Sequence, residues 1–282
     1  MSKLSTAERM LYSTTKITAL RHGTASSTGT GFFFKFAEND GTNIPAIITN
    51  KHVIDGCDSI MFKCHLALGD KPSGEHQECI IYINEKTVMR HPDPAVDLCA
   101  VFFGGILSQA SDAKRPIFWT GLDPELIPTE DDWQYFDAIE EVIMIGCPNG
   151  IFDHVNNLPI TRKGNTASSL AKNYNGQDEF MVDMACFPGS SGSPVFVYNK
   201  DGYFDRKTST HLLATTRIKL VGILYAGPLI TNTGAIVLAQ PPSIQVASMM
   251  HLGNVIKSSQ IIVLDKIMSE FKKQHHPHLP PE

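Results

Sequence analysis

Apolar residues in this chain recur at every second position or in short unbroken runs, which is the pattern of strands rather than of helices. From Lys16 the texture is β: Ile17 to Leu20, a Gly-Thr-Ser loop from His22 to Gly31, then Phe32 to Phe36. An Asn39-Asp40-Gly41 turn leads to a return strand from Ile44 to Thr49, which predicts a hairpin. Met61 to Leu68, Glu78 to Ile83 and Leu98 to Phe103 continue the rhythm at the spacing of an all-β barrel. Between Gly104 and about Glu141 the periodicity weakens and Pro, Asp and Glu accumulate, so a linker is expected there. A second β-rich half follows, with strands over Val142 to Gly146, Thr161 to Ala167, Glu179 to Met184, Pro194 to Tyr198, Leu220 to Leu224 and Ala235 to Ala239. Helical spacing is confined to Ser5 to Leu11, with Ser5 or Thr6 as cap and Glu8 in the first turn, and to Ser243 to Met250 and Leu264 to Lys273. Gln274 to Glu282 is Pro- and His-rich and reads as a tail. The divisions this predicts are an extension at 1–15, a first β-barrel at 16–115, a linker at 116–141, a second β-barrel at 142–250 and a C-terminal helix and tail at 251–282.

Composition narrows the class. The chain has 282 residues, 42% of them hydrophobic, which is enough to bury a sizeable core in one large or two small domains. A formal net charge of -5 leaves no basic footprint, so nucleic acid is not an expected partner. No stretch approaches the roughly 20 apolar residues of a membrane span, and Met1 to Leu20 lacks an apolar block of signal-peptide length, so no membrane partner and a cytoplasmic location are expected. The six cysteines sit mostly in strand-like runs without compact spacing, which fits a reducing compartment. With no CxxC pair, a structural zinc site has no support; neither metal nor cofactor is expected, and His275, His276 and His278 read as a solvated tail.

The stretch Phe187-Pro188-Gly189-Ser190-Ser191-Gly192-Ser193-Pro194 carries the chemistry. Glycine reaches dihedrals closed to residues with a Cβ, so the amides of Gly189 and Ser191 can converge on one point while the Ser191 hydroxyl stays exposed. A serine nucleophile needs a general base, usually a histidine oriented by a carboxylate. His52 stands just past the end of the strand Ile44 to Thr49, and Asp97 at the mouth of the apolar run from Leu98. Asp93 and Asp55 compete with Asp97, and Ser190 with Ser191.

Thr49-Asn50-Lys51-His52-Val53, Asp97-Leu98-Cys99-Ala100-Val101 and the Ser191 stretch resemble, in order, the His, Asp and Ser motifs of chymotrypsin-fold serine proteases. Asp183-Met184-Ala185 leading into Pro188-Gly189-Ser190-Ser191, with Gly29-Thr30-Gly31-Phe32 and Ile145-Gly146-Cys147-Pro148, is similar to the disulfide-free bacterial HtrA/Deg branch. The resemblance spans roughly residues 16–250. It implies two orthogonally packed six-stranded antiparallel β-barrels and a triad of His52, Asp97 and Ser191, with Gly189 and Ser191 amides as the oxyanion hole. An α/β-hydrolase is excluded, because its acid and histidine follow the nucleophile in an alternating strand-helix chain.

Ser190 stands where zymogen-activated relatives carry an aspartate, so activation by a newly cut N-terminus is not expected. Competence should depend on loop order instead, with Pro148 to Asn165 and the linker as regulators under an activating signal or partner. The resemblance puts Ala185 and Cys186 at the base of the specificity pocket, and Tyr225 and Gly227 on the strand that pairs with an extended substrate. Without a carboxylate there, cleavage of a protein or peptide after small to medium apolar residues is expected. About thirty residues beyond the second barrel are too few for an appended PDZ-type module. Two other functions use the same features: a catalytically silent binding module, and an esterase or acyltransferase.

Overall fold

The computed structural model describes residues 4–39, 42–227, 229–235 and 243–275. Helix α1 (Thr6–Tyr12) begins with a capping box. Ser5 Oγ accepts the Glu8 N–H at 3.2 Å while Glu8 Oε2 accepts the Ser5 N–H at 2.7 Å, so two otherwise orphaned donors are satisfied. Its buried Met10 joins the core, as the amphipathic spacing predicts.

The first half is an antiparallel sheet of β1 (Thr14–Arg21), β2 (Thr24–Asn39), β3 (Thr42–Thr49), β4 (Ser59–Leu68), β5 (Lys71–Tyr82), β6 (Val88–Arg90), β7 (Cys99–Phe102) and β8 (Ile117–Phe118). The strand order is β5-β4-β1-β2-β3-β7-β6, with β8 beside β4. Two short helices interrupt it, α2 (Lys51–Ile54) and α3 (Gly104–Asp112). The loop expected over His22 to Gly31 is a correction. The turn is only His22-Gly23, both at positive φ as a type I′ hairpin requires, and residues from Thr24 onward are strand. Gly29 and Gly31 mark close approach rather than a break. A Cβ on Gly29 would lie 2.5 Å from Val53 Cγ1, and one on Gly31 2.6 Å from Ile17 and Ile47.

The second half closes into a six-stranded barrel, in the order β10-β11-β18-β15-β12-β9. Its strands are β9 (Glu141–Gly146), β10 (Ile160–Thr166), β11 (Glu179–Asp183), β12 (Pro194–Asn199), β15 (Arg217–Ala226) and β18 (Leu252–Lys257). Two hairpins, β13 (Gly202–Asp205) with β14 (Thr210–Leu213) and β16 (Leu229–Ala235) with β17 (Ser243–Met249), project from it. Strand β17 replaces the helix predicted over Ser243 to Met250. Ile244 and Val246 alternate with Ser243 and Gln245, and pairing with β16 exploits that period of two. The barrel also reaches past the predicted limit of 250, because β18 supplies its last wall. Of the strand expected over Ala235 to Ala239, residues 236–239 lie outside the described residues, as does the tail beyond His275.

The all-β fold class therefore holds, with a closed second barrel and an eight-stranded first sheet. The main core cluster joins the two. Phe32, Phe34, Phe36, Ile48 and Leu98 pack in it with Ile145, Phe196, Leu220 and Ile223 of the barrel. Helix α4 (Ser259–His275) adds Ile261, Leu264 and Met268, and Asp265 Oδ1 accepts the Ala37 N–H of β2 at 2.7 Å. No helix among the described residues is long and apolar enough to cross a membrane.

Candidate active site

Strand β3 ends at Thr49 and the chain turns into α2, which puts His52 one turn past a buried strand end. Strand β7 pairs with β3, Cys99 opposite Thr49, so Asp97 just ahead of it lies beside the same turn. The His52 N–H donates to Asp97 Oδ1 at 3.1 Å, and His52 Nδ1 meets Asp97 Oδ2 at 2.5 Å. An ionised carboxylate only accepts, so Nδ1 carries the proton and Nε2 is left as an acceptor. Burial would raise the Asp97 carboxyl, but hydrogen bonds and charge from His52, with the backbone amides of His52 and Lys51, hold it below the ordinary carboxylate value. Asn50, fully buried, donates through its side chain to the Asp97 carbonyl at 2.7 Å. Neither rival carboxylate takes this place: Asp55 is paired with Arg90 at 2.7 Å, and Asp93 Oδ1 accepts the Ala95 N–H.

The stretch before β12 folds as a tight turn. The Ser190 N–H donates to the Phe187 carbonyl at 3.0 Å, with Pro188 and Gly189 between them and Gly189 at φ +81°. Proline then glycine at positive φ is the demand of a type II turn. Among the described residues, neither the Gly189 nor the Ser191 amide donates to another group, so both donors are free. Ser191 Oγ donates to the Tyr225 carbonyl at 3.3 Å, and no hydrogen bond joins it to His52. Tyr225 sits where the β15–β18 register shifts between Leu224 and Ala226, a bulge that turns its carbonyl away from the ladder.

The two halves meet through Thr30, fully buried in β2. Its N–H donates to the Ser191 carbonyl at 2.8 Å, and its Oγ1 donates to the Gly189 carbonyl at 2.9 Å while accepting the Cys147 N–H at 3.0 Å. Thr49 Oγ1 closes the seam by donating to the Thr30 carbonyl at 2.7 Å. In the sequence Gly29-Thr30-Gly31 shows only as a family signature, and neither Thr30 nor Asn50 shows a task there, because their partners lie far along the chain.

Of the residues predicted for substrate, Cys186 is buried under Gly253, whose added Cβ would lie 2.5 Å from its Sγ. Burial pushes its thiol up to about 11. The Ala185 carbonyl accepts Arg162 Nη1 at 2.8 Å. Tyr225 Oη donates to Glu179 Oε2 at 2.8 Å, and burial and that carboxylate push its hydroxyl up to about 12. Gly227 follows the end of β15.

A closed six-stranded barrel joined to a second β-sheet, with a serine turn at the junction, is the architecture of chymotrypsin-type serine peptidases. The trypsin-like peptidase domain profile matches residues 29–204, more than half of the chain, and the chain belongs to that family. It is a serine protease. Among solved structures, the serine endoprotease from Yersinia pestis aligns at a TM-score of 0.49 and 13% identity, over 96% of this chain and 68% of that one. Deg5 aligns at a TM-score of 0.44 and 16% identity, over 80% and 88%. No curated protein sequence matches the chain.

Proposed function

We propose that this protein is a serine endopeptidase working through Ser191, His52 and Asp97. In the first step Ser191 Oγ attacks the scissile carbonyl carbon and its proton passes to His52 Nε2. Negative charge gathers on the former carbonyl oxygen, which the free amides of Gly189 and Ser191 receive. The C–N bond then breaks, His52 returns the proton to the departing amine, and an acyl-enzyme remains. Water, deprotonated by His52, hydrolyses that ester and restores Ser191. Asp97 holds the imidazole tautomer throughout and stabilises the imidazolium. Tyr225 and Gly227 pair with the substrate backbone, and Ala185 borders a pocket for small to medium apolar residues, with the buried Cys186 packed behind it in the barrel core.

The observation that carries this reading is the doubly hydrogen-bonded His52–Asp97 pair, which fixes the imidazole in the tautomer a base for Ser191 needs. One observation favours a silent binding module instead: the Ser191 hydroxyl rests on Tyr225. Releasing that 3.3 Å bond takes only a rotation about χ1 between staggered wells. Fluorophosphonate labelling of the purified chain, beside Ser191→Ala and His52→Ala and followed by peptide mapping, separates the two. Labelling at Ser191 that needs His52 is the expected result; a folded wild-type chain as inert as Ser191→Ala sinks the endopeptidase reading. Peptide against small-ester turnover then sets protease apart from esterase.

A further inference from the structure

Strand β10 carries a cation where a barrel wall usually presents an apolar side chain. Thr161, Lys163 and Asn165 face outward, while Ile160, Arg162, Gly164 and Thr166 face inward. Arg162 Nη1 donates to two acceptors, Ser190 Oγ at 2.7 Å and the Ala185 carbonyl at 2.8 Å. Ser190 is fully buried and immediately precedes Ser191. Ala185 lies two residues ahead of the Phe187–Ser190 turn that presents the Gly189 amide, and Ser190 closes that turn. Arg162 thus grips the base of that turn from within the barrel.

The grip comes at a physical cost. Arg162 Nε and Nη2 are buried without a partner. The ionisable groups acting on it are the thiols of Cys186 and Cys147, which burial pushes up to about 11 and about 12, so neither carries negative charge at neutral pH. No ion pair reaches Arg162 among the described residues, whereas Arg217, also part-buried in this barrel, has Glu140 at 2.6 Å. A part-buried cation whose inner nitrogens face neutral dipoles alone is costly to a fold. Local features that oppose stability concentrate where function needs them.

We infer that Arg162 is a positioning residue for catalysis, an internal strut that clamps Ala185 and Ser190 and so holds the Gly189 and Ser191 amides toward the oxyanion. This rests on the proposed role of Ser191. Arginine suits the task because its planar guanidinium fixes the directions of the two Nη1 hydrogens, where a lysine ammonium would rotate freely. The strut comes from the strand itself, so the turn sets without any cut in the chain.

The test compares the full chain with Arg162→Met, Arg162→Lys and Ser190→Ala, using a peptide substrate and a peptide boronate that becomes a tetrahedral anion on Ser191. Losing one oxyanion donor costs about 10²- to 10³-fold in kcat, so Arg162→Met is expected to lose roughly 10². Its KM should stay within about twofold, because the defect arises only as charge develops. Boronate affinity should fall in step with kcat/KM, while Tm shifts little, because relief of the desolvated charge offsets the bonds lost at Ser190 and Ala185. Ser190→Ala should move the same readings the same way by less, and Arg162→Lys should recover only part. Unchanged kcat in Arg162→Met overturns the inference, as does a loss of kcat that merely follows a loss of Tm in both Arg162→Met and Ser190→Ala. A selective rise in KM for peptides with an acidic residue before the scissile bond also overturns it, because the guanidinium would then be reading substrate. If the wild-type chain proves as inert as Ser191→Ala, the endopeptidase reading falls. Amide hydrogen exchange across 185–193 still decides the strut: faster exchange in Arg162→Met and Ser190→Ala supports it, and equal rates overturn it.

Discussion

Replacing Thr30 with valine tests whether a single hydroxyl couples the first sheet to the serine turn. Valine keeps the β-branch, the volume and both backbone hydrogen bonds of Thr30, and removes only Oγ1. The buried Cys147 N–H then loses its sole acceptor, an unsatisfied donor that costs about 1–3 kcal/mol. The Gly189 carbonyl loses its bond to Thr30, worth about 1 kcal/mol more. The sum is about 2–4 kcal/mol, which for a chain of this size lowers Tm by roughly 5–12 °C. Activity should suffer too, because the freed carbonyl belongs to Gly189, whose amide is the proposed oxyanion donor; a drop in fluorophosphonate labelling rate of at least about tenfold is expected. Thr30→Ser, which keeps the hydroxyl, should retain labelling while losing some stability to the missing methyl. Differential scanning calorimetry and timed labelling measure both effects. A Thr30→Val chain that melts and labels like wild type would refute the coupling.

Other substitutions probe separate terms. Asp97→Asn leaves the shape intact but loses the acceptor that sets the His52 tautomer, so kcat should fall by about 10⁴ in steady-state assays. The folded Asp97 carboxyl lies below its unfolded value of 3.8, so the stability it lends is present above that value and is lost as pH falls through the folded one; acid unfolding of wild type should be steeper there than that of Asp97→Asn. Gly192→Ala puts a Cβ 1.9 Å from the Thr30 carbonyl oxygen at φ +87°, and should abolish labelling and lower the urea midpoint. Glu140→Ala strands the part-buried Arg217 and should cost about 3–5 kcal/mol by urea unfolding.

The parts of this protein legible in the sequence are those whose cause is local. The α1 capping box, the apolar runs of β3 and β7, and the Pro-Gly turn before Ser191 each follow from neighbours within a few residues. His52 and Asp97 can be read because each sits at the mouth of such a run. Strand β18 is hidden because Gly253 and Asn254 interrupt Leu252-Gly253-Asn254-Val255, and its partners, β11 and β15, come from elsewhere in the chain. The first sheet's long β2 is masked by glycines that serve packing rather than turning. Thr30 and Asn50 gain their tasks only from tertiary contact. Arg162 offers one usable signal: an arginine on the inward face of an alternating strand has to be held by something.

The last wall of the barrel has a consequence for timing. Synthesis runs from the N-terminus, so His52, Asp97 and Ser191 all leave the ribosome before residues 252–257, which pair with both β11 and β15 to complete the ring. Until then two strand edges stand unpaired, and the wall bearing Tyr225 lacks its neighbour. Helix α4 then crosses back to β2, where Lys272 Nζ donates to the Ala37 carbonyl at 3.0 Å. A nascent chain therefore carries His52, Asp97 and Ser191 before the strand that completes the ring around the Ser191 turn has been made.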